Sequence, residues 1–417
     1  MKYKAEIFDK FFFLYDKTGY SDHQLHCILY FNNHLNAERI KRAAALLMKA
    51  VPILSRVYRD YGGEPYWEDA CFSEIDFFTI VNDTKDFERF TFSRTDEAAG
   101  PQLKVCLLRQ PEGDSLSLVM NHMVCDAVGF KECLYLLSEI YSDLFKNPDA
   151  ISVPLIDGDR SFKKIGKALS LPARMKIYLR GYKDRGGEYE FPFSRSGDTS
   201  PFIAFFEIKR STYQKIRNLC AGNHVTVNDV VLTAFVRVLS GMLDRDGEEL
   251  AFPIMVDMRR YLRDKSFNAL TNLTANSILR ITVTPGENFD QTLEKVNAAM
   301  SKKKLENIGI DVLLTLEWQF KLYGKKTYSL LEKAMDNPKI GMTNIGVLDA
   351  KKLMFKDSSV INAVMCGSIK YRPYFQLSVS TFKDIMTLCV NLYGDDNDRR
   401  ILTDFFLLME YELESIS

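Results

Sequence analysis

Five histidines are the scarcest acid–base groups in the 417-residue chain, at positions 23, 26, 34, 122 and 224. Only His122 has a suggestive setting. The run Asn121-His122-Met123-Val124-Cys125-Asp126 places a carboxylate four residues after an imidazole, where an alternating apolar stretch gives way to a helical pattern. An imidazole titrates near neutral pH, so it can take a proton from a hydroxyl or an amine as attack begins and return it afterwards. No adjacent Ser or Cys nucleophile accompanies it. The sequence contains no GxSxG elbow, GxxxxGK[ST] phosphate loop, GxGxxG fingerprint or HExxH zinc pair. That combination suits direct transfer onto an incoming hydroxyl or amine rather than a covalent acyl-enzyme. HxxxD spacing is weak evidence by itself. A plainer reading makes Asp126 the N-cap of the following helix and His122 a satisfied core polar group. His26 is expected inside a strand, and His23, His34 and His224 in polar, turn-like surroundings.

The elements that must hold His122 are legible around it. Leu103, Val105 and Leu107 alternate with Lys104 and Cys106, and Leu116, Leu118 and Met120 alternate again after the Pro111-Glu112-Gly113-Asp114 turn, which predicts a β-hairpin. Beyond Asp126, Phe130, Leu134, Leu137, Tyr141 and Leu144 mark a long amphipathic helix, so His122 falls at a strand-to-helix corner. Upstream, Leu25 to Phe31 reads as a strand. It precedes a helix capped by Asn36 and ended by Pro52. Residues 146–200 change character, with four prolines and a basic cluster (Lys163, Lys164, Lys167, Arg174, Lys176, Arg180, Lys183, Arg185) that reads as a solvated helix face or as a contact for a phosphate-bearing donor, an acidic carrier protein or a membrane surface. A second cycle follows. It has helices capped by Ser211 and Thr226, strands at 251–258, 278–283, 360–365, 375–380 and 386–392, and a closing helix at 399–412. The expectation is an α/β protein with an N-terminal lobe at 1–160, a linker at 161–200 and a C-terminal lobe at 201–417.

Composition narrows the function classes. Lys and Arg number 55 against 55 Asp and Glu, the hydrophobic fraction is 46% and the charged fraction 26%, as in ordinary globular proteins. A formal charge of zero gives no global field for nucleic acid, so no nucleic-acid partner is expected. The eight cysteines are scattered without a CxxC pair, most among apolar neighbours, and predict reduced core residues of a cytoplasmic protein. With few histidines and no paired cysteines, no metal site is expected. The amino terminus shows only a short apolar burst, Phe11 to Leu14, between charged residues, which does not read as a secretion signal. No run approaches the ~18 apolar residues of a spanning helix.

Taken in order, several motifs resemble the chloramphenicol-acetyltransferase-like superfamily, which includes peptide-synthetase condensation domains and alcohol acetyltransferases. Asn121 to Ala127 is similar to its HHxxxDG signature. Leu35 to Val57 resembles the opening helix and its Pro-containing segment, Val227-Asn228-Asp229-Val230-Val231 a "vNDvll" helix, and Pro253 to Arg260 a "PvdlR" strand. Asn272-Leu273-Thr274 is similar to a "GN" loop and Thr343-Asn344-Ile345-Gly346 to "SNlG". The resemblance implies two such lobes forming a pseudo-dimer with a tunnel between them, and His122 as general base. It implies that Asp126 pairs with a second-lobe arginine, Arg259 or else Arg260, and that Asn121 is mainly structural. Asn344 and Ser380 are expected near substrate, Ser380 or Asn121 as an oxyanion donor. The donors implied are acyl-coenzyme A or acyl-phosphopantetheine on a carrier protein, with a small-molecule acceptor and no tightly bound cofactor. Asn121 replaces the first His and Ala127 the Gly, whose freedom to take a positive φ Ala lacks. A catalytically silent relative that binds a thioester, carrier or partner protein is the competing expectation.

Overall fold

The alternation around Cys27 and Leu29 produces the strand Gln24–Phe31, whose residues are almost all buried. It is one rung of a sheet that fixes the position of His122. In the computed structural model, which describes residues 1–60, 64–149, 153–167, 169–180, 185–195, 197–264, 266–305, 309–327 and 338–416, the order in this sheet is Val360–Cys366, Gln24–Phe31, Ser115–Asn121, Leu103–Leu108, Phe78–Val81. The hairpin register sets Leu103 opposite Met120 and Leu107 opposite Leu116. Helices Ala37–Ala50 and Ala127–Lys146 pack together on this sheet, the first capped by Asn36, whose Oδ1 accepts from the Arg39 amide at 2.9 Å.

A second sheet follows the order Thr274–Thr282, Glu249–Asp257, Ile340–Leu348, Phe375–Phe382, Ile385–Gly394, Lys370–Tyr371, with Ser200–Ile208 also paired to Ile385–Gly394. The Val227–Met242 helix, opened by a Thr226–Asp229 capping box, and Asp396–Glu414 pack on it. Each large sheet has its own apolar core. A small sheet joins Lys2–Lys4, Tyr66–Asp69 and Arg56–Arg59.

Chain order and lobe do not coincide. The strand Val360–Cys366, from the second half, pairs antiparallel with Gln24–Phe31 and completes the first sheet. The 161–200 stretch is not plain linker: it carries the helix Leu171–Arg180, with Leu171, Met175 and Leu179 exposed, and Ser200 begins a strand. Of its basic cluster, Lys183 lies outside the described residues, as do the side chains of Lys164 and Arg180. The helix expected to begin at Ser211 runs over Arg210–Gly222 without a side-chain cap. The apolar burst near the amino terminus is a helix, Ile7–Lys17, held at its start by reciprocal Glu6 and Asp9 capping. No helix among the described residues is long and apolar enough to cross a membrane.

Candidate active site

The strand Ser115–Asn121 ends in a tight turn that presents His122. Asn121 Oδ1 accepts from the Met123 amide at 2.9 Å, closing the turn with its own side chain. The His122 amide donates to His23 O at 3.1 Å, tying the turn to the segment before Gln24–Phe31. His122 Nδ1 lies 2.9 Å from Cys125 O. A carbonyl only accepts, so Nδ1 carries the proton and Nε2 holds the lone pair. The ring packs against both Phe12 (centroids 4.5 Å apart, planes at 22°) and His23 (5.3 Å, 18°), whose own centroids are 5.0 Å apart, so the three rings form one cluster. Burial lowers its pKa below the ordinary imidazole value and the Lys370 charge adds to this, with Asp126 and the Cys125 bond opposing.

Asp126 serves both functions that its spacing left open. One oxygen caps the Ala127–Lys146 helix, accepting from the Gly129 amide at 3.0 Å. The other accepts from Arg259 Nη1 at 2.8 Å, the Leu273 amide at 2.7 Å and Thr274 Oγ1 at 3.1 Å, all from the second half of the chain. Burial alone would raise this carboxyl, but Arg259 and the two amides outweigh it and hold the pKa below the usual carboxylate range. Arg259 also reaches Thr271 O at 3.0 Å and Asp257 at 3.1 Å. Gly129 permits the close approach: a Cβ there would stand 2.9 Å from the Cys125 Cβ and 3.1 Å from Leu270 Cδ1. Ala127 opens the helix with ordinary negative φ, so the expected strain at this position is not present.

Asn272 was legible only as part of a loop motif. Its Nδ2 donates to His122 O at 2.8 Å and Met123 O at 3.0 Å, gripping the turn from the opposite lobe. Arg160 had no signal at all. Its guanidinium forks onto Asp9 at 2.9 and 2.8 Å and its Nε reaches Leu270 O at 2.7 Å, so it locks the aromatic Ile7–Lys17 helix to that loop.

His122 opens into a cavity of ≈ 200 Å³ lined by residues of both lobes, among them Phe8, Phe11, Phe12, Tyr15, Leu313, Leu316 and Ile345. His23 and Lys370 also line it. His23 is a correction to the sequence reading: instead of a polar turn it occupies a buried site at φ 61°, 2% exposed, with neither ring nitrogen hydrogen-bonded. Two expected substrate residues lie elsewhere. Asn344 faces a separate cleft with Arg259, Arg260 and Lys304, and its Oδ1 accepts from the Gly346 amide to shape a bulge in Ile340–Leu348. Ser380 is buried in Phe375–Phe382, its Oγ without a hydrogen-bond partner, and it does not line the cavity. Among the described residues no group of three His, Cys, Asp or Glu is placed to hold a metal.

No family model matches the chain. It is 24% identical over 231 residues to surfactin synthase subunit 1 of Bacillus subtilis, a stretch that is 50% of this chain and 6% of that much longer protein. Among solved structures it is similar to the epimerization domain from the third module of tyrocidine synthetase B (TM-score 0.71, 14% identity, 99% of this chain and 96% of that one). It also resembles the trichothecene 15-O-acetyltransferase from Fusarium sporotrichioides (0.70, 13%, 100% and 95%). The first condensation domain of the calcium-dependent antibiotic synthetase matches equally well (0.70, 13%, 100% and 97%). The chain therefore has the two-lobed α/β fold of these condensation, epimerization and acetyltransferase structures.

Proposed function

We propose that this chain, with the fold of these structures, is an acyltransferase that moves an acyl group from a thioester to a hydroxyl or amine. The observation that carries the reading is the 2.9 Å contact of His122 Nδ1 with Cys125 O, which leaves the lone pair on Nε2, on a ring that lines a cavity between the lobes. In the reaction, Nε2 takes the acceptor's O–H or N–H proton as its oxygen or nitrogen bonds to the thioester carbonyl carbon. The carbon–sulfur bond then breaks and the leaving sulfur receives that proton. A ring with a lowered pKa stays unprotonated, and ready, at neutral pH. Asp126 and Asn272 act as positioning residues, the first through Arg259 and the second through the turn carbonyls. The donor is an acyl thioester of phosphopantetheine, either coenzyme A or a carrier protein. It would approach along a tunnel through the cavity, with Arg260 and Lys304, which line the neighbouring cleft, and the adjacent Lys302 and Lys303 in sequence as candidate phosphate contacts. Eight free cysteines suit a reducing compartment such as the cytoplasm.

The test is His122→Ala assayed with acyl-coenzyme A and acyl-carrier donors against a panel of alcohols and amines. Activity should fall by about 10² to 10⁴ while the thermal transition stays in place. A variant with full activity refutes the mechanism. A wild type inactive with every donor, yet binding one of them, would establish the silent relative instead.

A further inference from the structure

The cavity beside His122 holds a cation that the proton transfer does not use. Lys370 lies on the short strand Lys370–Tyr371 and is drawn against the first lobe by a bridge to Ser21, by the Tyr371 amide bonding Tyr20 O at 3.1 Å, and by the Asp22 amide bonding Ile369 O at 2.9 Å. Its side chain lines the cavity with His23 and His122, with Nζ 6.0 Å from the Tyr15 ring centroid. It has no hydrogen bond or ion pair among the described residues.

The acids that surround it are occupied. Asp22, whose field reaches Lys370, accepts at Oδ1 from the amides of Gln24 and Ile369 (3.1 and 2.9 Å), and its Oδ2 faces His26 Nε2 at 3.3 Å. Asp126, the acid among the residues lining the cavity, is held by Arg259. An enclosed ammonium without a counter-ion is costly to keep, and a bound anion relieves that cost. Burial accordingly pushes the Lys370 pKa down to about 8.

We propose that this cavity takes a substrate whose apolar or aromatic body carries a carboxylate. Lys370 pairs with the carboxylate, and Phe8, Phe11, Phe12 and Tyr15 pack against the body. The inference builds on the acyltransferase reading and makes the acceptor a hydroxy or amino acid rather than a neutral alcohol or amine.

Binding tests it without turnover. The full chain is titrated with 3-phenylpropionate, 3-phenylpropanamide and 3-phenylpropan-1-ol, following histidine ring carbon resonances by NMR. The carboxylate should bind about ten- to a hundredfold more tightly than the two neutral probes. Lys370→Met should erase that preference, and Lys370→Arg should keep most of it. Equal affinities in the wild type, or a preference that survives in Lys370→Met, overturn the proposal. If Lys370→Met does not fold, the wild-type series and Lys370→Arg still decide. The two readings fail separately: carboxylate selectivity without any acyl transfer removes the enzyme assignment and leaves the anion site, whereas transfer to neutral acceptors with equal probe affinities does the reverse. A Lys370→Met variant that loses kcat but keeps the carboxylate preference assigns Lys370 to the tetrahedral oxyanion and rejects the acid-recognition role.

Discussion

Cys125 O can only accept, so His122 presents Nε2, and any change that frees the ring from this bond lets the wrong nitrogen face the substrate. The pH profile follows from the same environment. The base form works, and both burial and Lys370 lower the pKa, so the acid limb of kcat/KM should have its midpoint below the ordinary imidazole value of about 6.5. The groups acting on this ring are Lys370, which lowers the pKa, and Asp126, which raises it; His23 stacks against it. Removing the positive charge in Lys370→Met should move the limb to higher pH, and a limb that stays in place contradicts the coupling. Asp126→Ala tests the second residue-scale feature. It strands part of Arg259 and two amides, and should lower unfolding stability by about 3–5 kcal/mol in urea titrations, with part recovered in an Asp126→Ala, Arg259→Met double variant.

Among the elements, the turn that carries His122 is held from four directions: by its own Asn121, by the segment before Gln24–Phe31 through His23 O, by the Ala127–Lys146 helix through Asp126, and by the Leu270–Thr274 segment through Asn272. Asn272→Ala leaves two turn carbonyls without their donor. It should cost about 1–3 kcal/mol and reduce kcat more than it changes KM, because the turn and not the cavity wall is loosened. An unchanged kcat would show that the turn is rigid without it. This level also separates what could be read in the sequence from what could not. Asn36, Thr226 and the 103–121 hairpin were legible because capping and two-residue alternation are local signals. Asp126 was ambiguous because capping and ion pairing use the same carboxylate, and the structure has it doing both. In the sequence His23 reads as part of a polar turn and Lys370 carries no signal. Each is an isolated polar residue near a strand end: His23 reaches His122 through the pairing of Gln24–Phe31 with Ser115–Asn121, and Lys370 through a bridge to Ser21 from the far end of the chain. Asn344, placed by motif order, and Ser380, chosen as a hydroxyl on a strand, lie where their side chains do not share the cavity, since position along the chain does not fix which face of a strand a residue takes.

For the molecule as a whole, the two large sheets are bound together by the Val360–Cys366 strand, the Asp126–Arg259 pair, the Arg160 clamp on Asp9 and Leu270, and Lys131, which bonds Ile345 O at 2.8 Å. Lobes joined through a shared strand and buried polar links should unfold together. Calorimetry should give one transition whose calorimetric and van't Hoff enthalpies agree, and two resolved transitions would mean that the lobes are separable. Activity and the Lys370 site should then disappear at the same temperature.

The shared strand also has a consequence for how the chain is made. Gln24–Phe31 leaves the ribosome early, yet the neighbour that covers one of its edges, Val360–Cys366, is translated more than three hundred residues later. Throughout that interval the strand presents a row of unpaired amides and carbonyls beside the apolar side chains of Leu25, Cys27 and Leu29, a template on which another nascent chain can pair. The first lobe thus begins life as an incomplete sheet, and its passage to the native state depends on keeping that edge apart from its neighbours until the last quarter of the polypeptide arrives.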